Sequence, residues 1–199
     1  MSRLSLLRAS DYQRVRWKND GGWTTEIARE PADAAQAFRW RVSIADIESD
    51  GPFSNFPGVD RDLLLLAGNG IELDIDGAPP LRLSERFRRA HFAGESNVDC
   101  RLLAGPTCDF NVMVRRDSVR AEVVARPLVG SMVIFAESGV EWLVHVFAGE
   151  ARARTAQEEV ALPAGSSLKI EFEDAERTRV VLEGGGELVL VKLVMIAES

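Results

Sequence analysis

The chain has 199 residues, is 46% hydrophobic and carries a formal net charge of −7. That length suits one large domain or two small fused ones. The acidic balance, with no basic patch interleaved with aromatics, argues against nucleic acid as a partner. Residues 1–10 lack the apolar segment of a secretory signal, and no run of about 18 apolar residues occurs, so a cytoplasmic protein without a membrane-spanning helix is expected. Cys100 and Cys108 are the only cysteines. They are too few for a disulfide framework or a structural zinc site and read as buried, reduced thiols on strands.

The first dense motif is Trp17-Lys18-Asn19-Asp20-Gly21-Gly22-Trp23-Thr24-Thr25-Glu26. A short, alanine-rich helix opened by proline is predicted over Pro31 to Ala37. Period two follows: Trp40, Val42 and Ile44 share one strand face, and Arg41 and Ser43 the other. The second dense motif is Gly51-Pro52-Phe53-Ser54-Asn55-Phe56-Pro57-Gly58, with Arg61 close behind. Loops that gather glycine, proline, aromatic rings and polar tips either make tight anchored turns or place groups around a ligand. Two such loops followed by an arginine favour a binding site.

Leu63 to Leu66 is apolar on both faces, as a core strand can be. Ile71 to Ile75 alternates and runs into Asp76-Gly77, a hairpin signal. Asp109, Asn111 and Met113 alternate with Phe110, Val112 and Val114, and Leu188 to Val194 is nearly all apolar. Glycine punctuation at Gly68-Asn69-Gly70, Gly105-Pro106, Gly149, Pro163-Ala164-Gly165 and Gly184-Gly185-Gly186 is read as turns between short strands, which predicts an all-β sandwich or barrel. The halves echo one another. Leu65 to Gly68 pairs with Val146 to Gly149, Phe92-Ala93-Gly94 with Pro163 to Gly165, Leu103 to Gly105 with Leu182 to Gly184, and Asp109 to Val114 with Glu187 to Lys192. Two copies of one small barrel are therefore expected, divided near Arg126-Pro127. Residues 1–126 would carry the ligand loops, and 127–199 would pack on them, with closing strands open to exchange between the halves.

The pieces Trp17-Lys-Asn-x-Gly-Gly22, Thr24-x-Glu26-Ile27, Trp40-Arg-Val-Ser-Ile-Ala45, Gly51-Pro-Phe-Ser-x-Phe-Pro-Gly58 with Arg61, Phe92-Ala-Gly94 and Asp109-Phe-Asn-Val-Met-Val-Arg-Arg116 span nearly the whole chain. Together they resemble the HutD/Ves family. The resemblance implies a bicupin, two jelly-roll-like cupin barrels in one chain. It also implies a non-catalytic regulator of histidine utilisation that binds a pathway intermediate, N-formylglutamate or urocanate. Asp20 stands where the family pattern has a further glycine, which bears on loop geometry or ligand charge.

The residues restrict the chemistry. A metal-binding cupin needs about three histidines and a glutamate around one ion, and this chain has two histidines, His91 and His145. Pro163-Ala164-Gly165 resembles a second cupin motif whose ligand histidine would fall at Leu168. No metal or cofactor is therefore expected. His145 reads as a core or barrel-lining residue and His91 as a partly exposed structural one. No nucleophile elbow or phosphate-binding loop is present.

The expected ligand site is Asn19, Glu26, Arg41, Ser43, Ser54, Phe56, Arg61 and Asn111. Arg61 offers a bidentate fork to a carboxylate, and Asn111 suits an amide or formyl group. Asn19 and Ser54 serve either a ligand or their own backbone. Glu26 is a ligand contact, a partner for Arg41 or Arg61, or a surface group. Small-barrel interiors are ordinarily apolar, so the Arg41/Ser43 and Asp109/Asn111/Met113 faces point either inward as polar lining or away. The expected partner is a small anionic metabolite. A metal-independent isomerase or hydrolase using Glu26 is the alternative. A homodimer is the third reading, with Leu188 to Val194 as a core or dimer strand.

Overall fold

A computed structural model describes residues 2–172 and 178–196. Among them there are strands and one 3-10 turn at Ala9–Asp11, and no α-helix. No helix is long and apolar enough to cross a membrane. The chain divides into two compact units, Tyr12–Ser118 and the combination of Met1–Asp11 with Val119–Ser199. The second unit thus includes β1 (Ser2–Leu7), the first strand of the chain.

The unit Tyr12–Ser118 holds β2 (Gln13–Arg16), β3 (Gly22–Glu30), β4 (Trp40–Ile47), β5 (Gly51–Pro52), β6 (Val59–Ala67), β7 (Ile71–Ile75), β8 (Leu81–Leu83), β9 (Arg89–Ala93), β10 (Val98–Leu102) and β11 (Thr107–Arg115). One antiparallel sheet has the order β2-β3-β4-β11-β6-β9, and the other β5-β10-β7-β8. Ile47, Leu63, Leu65 and Phe92 of the first sheet pack with Ile71, Leu73, Leu83, Val98 and Cys100 of the second. Leu63 to Leu66 are all essentially inaccessible, so both faces of β6 are covered there. Asp76 and Gly77 both have positive φ, and Ala78 donates to the Ile75 carbonyl, which closes a tight turn after β7.

The second unit continues with β12 (Val119–Phe135), β13 (Val140–Arg154), β14 (Glu159–Pro163), β15 (Ser167–Phe172) and β16 (Arg179–Met195). Its sheet has the order β1-β15-β13-β16-β12, and β14 pairs with the far end of β13. Its core joins Val144, Val146, Ala151, Leu162, Leu168, Ile170, Val180, Leu182, Leu188 and Leu190. Leu188 to Val194 lies in β16, hydrogen-bonded to β12 on one side and β13 on the other. It is a core strand.

Pairing in the two units follows one scheme. β6 pairs with β9 and β11, and β7 with β8 and β10. The near half of β13 pairs with β15 and the far end of β16, and its far half with β14 and the near end of β16. In this scheme β9 answers to β15, so Phe92-Ala93-Gly94, at the end of β9, is not the counterpart of Pro163-Ala164-Gly165, at the end of β14.

Three other expectations need correction. Pro31 to Ala37 is a turn-rich loop, not a helix. The Asp33 carboxylate accepts from the Ala35 amide at 2.9 Å and the Gln36 side chain at 3.1 Å, so a polar side chain takes the backbone amide that a helix would bond to the Pro31 carbonyl, which Arg29 occupies instead. Arg29 ties the loop down through the Pro31 and Gln36 carbonyls. Arg126-Pro127 is no boundary, because it lies inside β12. Proline is tolerated there because β12 is an edge strand. Gly149 and Gly184-Gly185-Gly186 are not turns but interior positions of β13 and β16, where the strands approach closely at a bulge. A Cβ on Gly149 would lie 2.2 Å from the Gly185 carbonyl oxygen, and one on Gly186 2.0 Å from that of Ala148.

Gly149 and Gly130 have φ of 81° and 80°, but a Cβ on Gly130 would meet nothing within 4 Å. Gly130→Ala is therefore expected to cost about 1–2 kcal/mol, the left-handed penalty alone. Gly149→Ala adds a backbone collision and is expected to exceed about 3 kcal/mol. Urea unfolding of the two variants beside the parent checks the difference.

Candidate functional site

Strand alternation builds the site. Arg41, Ser43 and Ala45 share one face of β4, Asp109, Asn111 and Met113 one face of β11, and Arg61, Leu63 and Leu65 one face of β6. Register brings them together: Ser43 lies opposite Asn111, Asn111 opposite Leu63, and Met113 between Arg41 and Arg61. The opposite face carries Trp40, Val42, Phe110 and Val112, all buried. The polar face points inward, lining a cavity of about 650 Å³ with Arg41, Ser43, Arg61, Asp109, Asn111 and Met113. At Leu63 and Leu65 the same face passes into the apolar core.

Arg61 is the centre of this lining. It is 7% exposed, and its guanidinium carbon sits 5.1 Å from the Phe53 ring centre, 5.9 Å from Phe56 and 5.0 Å from Phe92. Rings at that distance stabilise a desolvated cation through their quadrupoles. Nη2 of Arg61 donates to Asn111 Oδ1 at 2.9 Å, and Asn111 Nδ2 donates in turn to Asp109 Oδ1. Asp109 is fully buried. Among the described residues, Arg61 Nε and Asp109 Oδ2 have no hydrogen-bond partner. Burial brings the Arg61 guanidinium down to about 10, against the opposing pull of Asp109. Burial likewise pushes the Asp109 carboxyl up to about 7, although Arg61 and the Asn111 hydrogen bond favour its charged form.

The two loops form the rim. Trp17 Nε1 donates to Thr24 Oγ1 at 2.8 Å, and the Trp17 amide donates to the Gly22 carbonyl, folding the first loop back on β3. Asn19 Oδ1 accepts from the Gly21 amide at 3.1 Å, so its carbonyl supports the turn while the residue lines the cavity. Asp20 has φ of 57°, the left-handed region that glycine favours and aspartate tolerates. Its carboxylate meets Arg16 at 3.4 Å and does not line the cavity. In the second loop, the Phe53 amide donates to the Val98 carbonyl and the Phe56 amide to that of Gly94. A Cβ on Gly94 would stand 2.5 Å from the Phe56 carbonyl oxygen, so only glycine permits this docking. Arg116 braces the same region, donating to Asp60 at 2.8 Å and Glu95 at 2.9 Å, while Asn55 donates to the Glu95 carbonyl.

Of the expected residues, Asn19, Arg41, Ser43, Ser54, Phe56, Arg61 and Asn111 line one cavity. Glu26 is not among its lining residues; its carboxylate holds Arg41 Nε at 2.6 Å, one of the roles open to it in the sequence. Asp109 was absent from the expected site, although its alternation with Asn111 was the signal for it. Trp17, Thr24 and Phe53 also line the cavity. Trp23 does not; Arg14 and Arg16 stack on it at 4.8 and 4.9 Å.

The remaining candidates lie elsewhere. His91 contacts Asp62 at 3.1 Å, and His145 contacts Ser167 at 2.9 Å in the other unit. Burial lowers the His145 imidazole to about 4. Among the described residues, no group of three or more His, Cys, Asp or Glu side chains is placed to hold a metal ion. Cys100 and Cys108 are free, and burial pushes both thiols up to about 12.

The family model described as HutD matches residues 9–190. An uncharacterized 21.2 kDa protein in the hutC 3' region of Pseudomonas putida is 46% identical over 125 residues, 62% of this chain and 64% of that protein. The match thus spans somewhat less than two thirds of that relative. A conserved protein of unknown function from Pseudomonas aeruginosa PAO1 superposes with a TM-score of 0.87 at 30% identity, covering 98% of this chain and all of that one. HutD from Pseudomonas fluorescens SBW25, solved in a formate condition, superposes with a TM-score of 0.79 at 30% identity and the same coverage. The motifs around the cavity and the match over most of the sequence place this chain in one family: it belongs to the HutD family.

Proposed function

We propose that this protein binds a small carboxylate metabolite at the Arg61 end of the cavity, uses no metal to do so, and acts as a regulator of histidine utilisation. The observation that carries the binding reading is the desolvated Arg61 guanidinium, walled by three aromatic rings and lining a cavity of about 650 Å³. That volume suits a small molecule, and the mixed lining sets polar groups such as Arg61, Asn111 and Ser43 beside the rings of Phe53 and Phe56 to give orientation. A guanidinium in such surroundings binds a carboxylate far more strongly than it would in water. Asn111 supplies an amide beside it, which suits a ligand with an amide or formyl group as well as an acid. Ser43, Ser54 and Asn19 add further polar contacts.

The pathway reading is supported by kinship: a relative is named for the hutC region, and a solved neighbour carries the name HutD. N-formylglutamate and urocanate are the ligands the family suggests.

Calorimetric titration of the folded protein with N-formylglutamate, urocanate, glutamate and formate tests this. Saturable binding to at least one is expected. Arg61→Ala is expected to weaken it by about 100-fold and Arg61→Lys by about 10-fold, because lysine keeps the charge but loses the fork. Circular dichroism and thermal melts check that both variants are folded. Binding unchanged in Arg61→Ala, or absent for all four compounds in the parent, overturns the reading. Gly94→Ala separately tests the loop: by pushing the Phe56 carbonyl away it is expected to weaken binding about 10-fold, roughly 1.4 kcal/mol, with Arg61 untouched.

A further inference from the structure

The charge balance at the inner end of the cavity is the starting point. Arg61 faces Asp109 through Asn111, so one positive and one negative charge already share that end when Asp109 is ionised. The other guanidinium on the inner wall, Arg41, is taken by Glu26 at 2.6 Å. Arg16 belongs to the rim and is held by Glu48 and Asp20, and Lys18 is exposed there. A ligand carboxylate beside Arg61 would therefore put two buried anions against one buried cation. Like charges so placed do not both ionise in a medium of low dielectric constant.

The surroundings of Asp109 fit the neutral form. It is wholly buried, and among the described residues it accepts a hydrogen bond from Asn111 and leaves Oδ2 without a partner. A carboxylate wants several donors, whereas a carboxylic acid wants fewer and brings its own proton. The register neighbours Ala45 and Leu65 are apolar. The charged and titratable groups that act on Asp109 are Arg61 from β6 and Asp46 from β4, which Arg14 holds at 2.9 Å. Cys100 from β10 and Cys108 from β11 also feel Asp109, but burial keeps both thiols protonated, near 12.

We propose that Asp109 couples anion binding to proton uptake: the cavity takes a carboxylate at Arg61 together with one proton on Asp109. The proposal rests on the carboxylate-binding reading above. Free Asp109 titrates at about 7, and the negative charge of a ligand raises it further. Below that pH the proton is already present and affinity is independent of pH. Above it the proton must be taken from solvent, and affinity falls by up to about tenfold per pH unit.

Titration calorimetry with N-formylglutamate and with formate, from pH 5.5 to 8.5 in buffers of different ionisation enthalpy, tests this, because neither probe titrates in that range. Uptake of about one proton per ligand is expected at pH 8 and none at pH 5.5. Asp109→Asn, which imitates the neutral acid, is expected to bind at pH 8 at least as tightly as the parent, with no proton uptake and a flat pH profile. A merely structural role would weaken binding at every pH instead. As a measurement on the unaltered protein, the carbon-13 shift of the Asp109 carboxyl is expected to titrate near neutrality and to move to higher pH with formate bound. Binding without proton uptake at pH 8, or with the same pH profile in Asp109→Asn, overturns the coupling and leaves the carboxylate reading standing. Failure of all four carboxylates to bind the parent overturns both.

Discussion

A positive charge buried inside a β-protein must be solvated by something, and at Arg61 three aromatic rings and an asparagine replace the water. Much of the Tyr12–Ser118 unit can be understood from that requirement. Phe92 reaches the guanidinium from β9, the neighbour of β6, while Phe53 and Phe56 come from a loop. Asn111 comes from the neighbour on the other side, β11, and carries the electrostatic influence of Asp109 without letting the carboxylate close directly on the arginine. A direct ion pair would have satisfied both groups and left the cation little to offer a ligand. The relay leaves Arg61 Nε without a hydrogen-bond partner among the described residues, which costs stability.

The two loops divide the remaining work. The first folds back on itself around the Trp17–Thr24 hydrogen bond, and its polar tips form part of the rim. The second is fixed from outside by Gly94 and by the Arg116 brace, and carries aromatic rings over the charge. In the first loop the same side chains do both jobs: Asn19, Trp17 and Thr24 hold the turn by hydrogen bonds and also line the cavity.

The sequence was informative where one periodicity explains the structure. Alternation on β4 and β11 put Arg41 with Ser43 and Asn111 with Asp109 on common faces, and the cavity uses those faces. Alternation alone left the direction open, because Trp40, Val42 and Phe110 on the opposite side are buried too, and a strand with two covered faces gives no inside-outside contrast. Glu26 was ambiguous for another reason: its pairing with Arg41 depends on the register of β3 against β4, including a bulge after Glu26. Gly149 and Gly184 to Gly186 resemble turns in sequence because close approach of two strands and a turn call for the same residue. The alanine-rich run at Pro31 to Ala37 is not a helix, because Asp33 within it takes the Ala35 amide and Arg29 takes the Pro31 carbonyl.

The docking of the second loop has an evolutionary corollary. Its path is set by main-chain hydrogen bonds from Phe53 and Phe56 and by the bare backbone of Gly94. The side chain at Ser54 can therefore be exchanged without rerouting the chain. A lineage can retune the shape and polarity of the rim at that position while the rings around Arg61 remain in place. The architecture thus separates a fixed, ring-walled arginine from an adjustable rim.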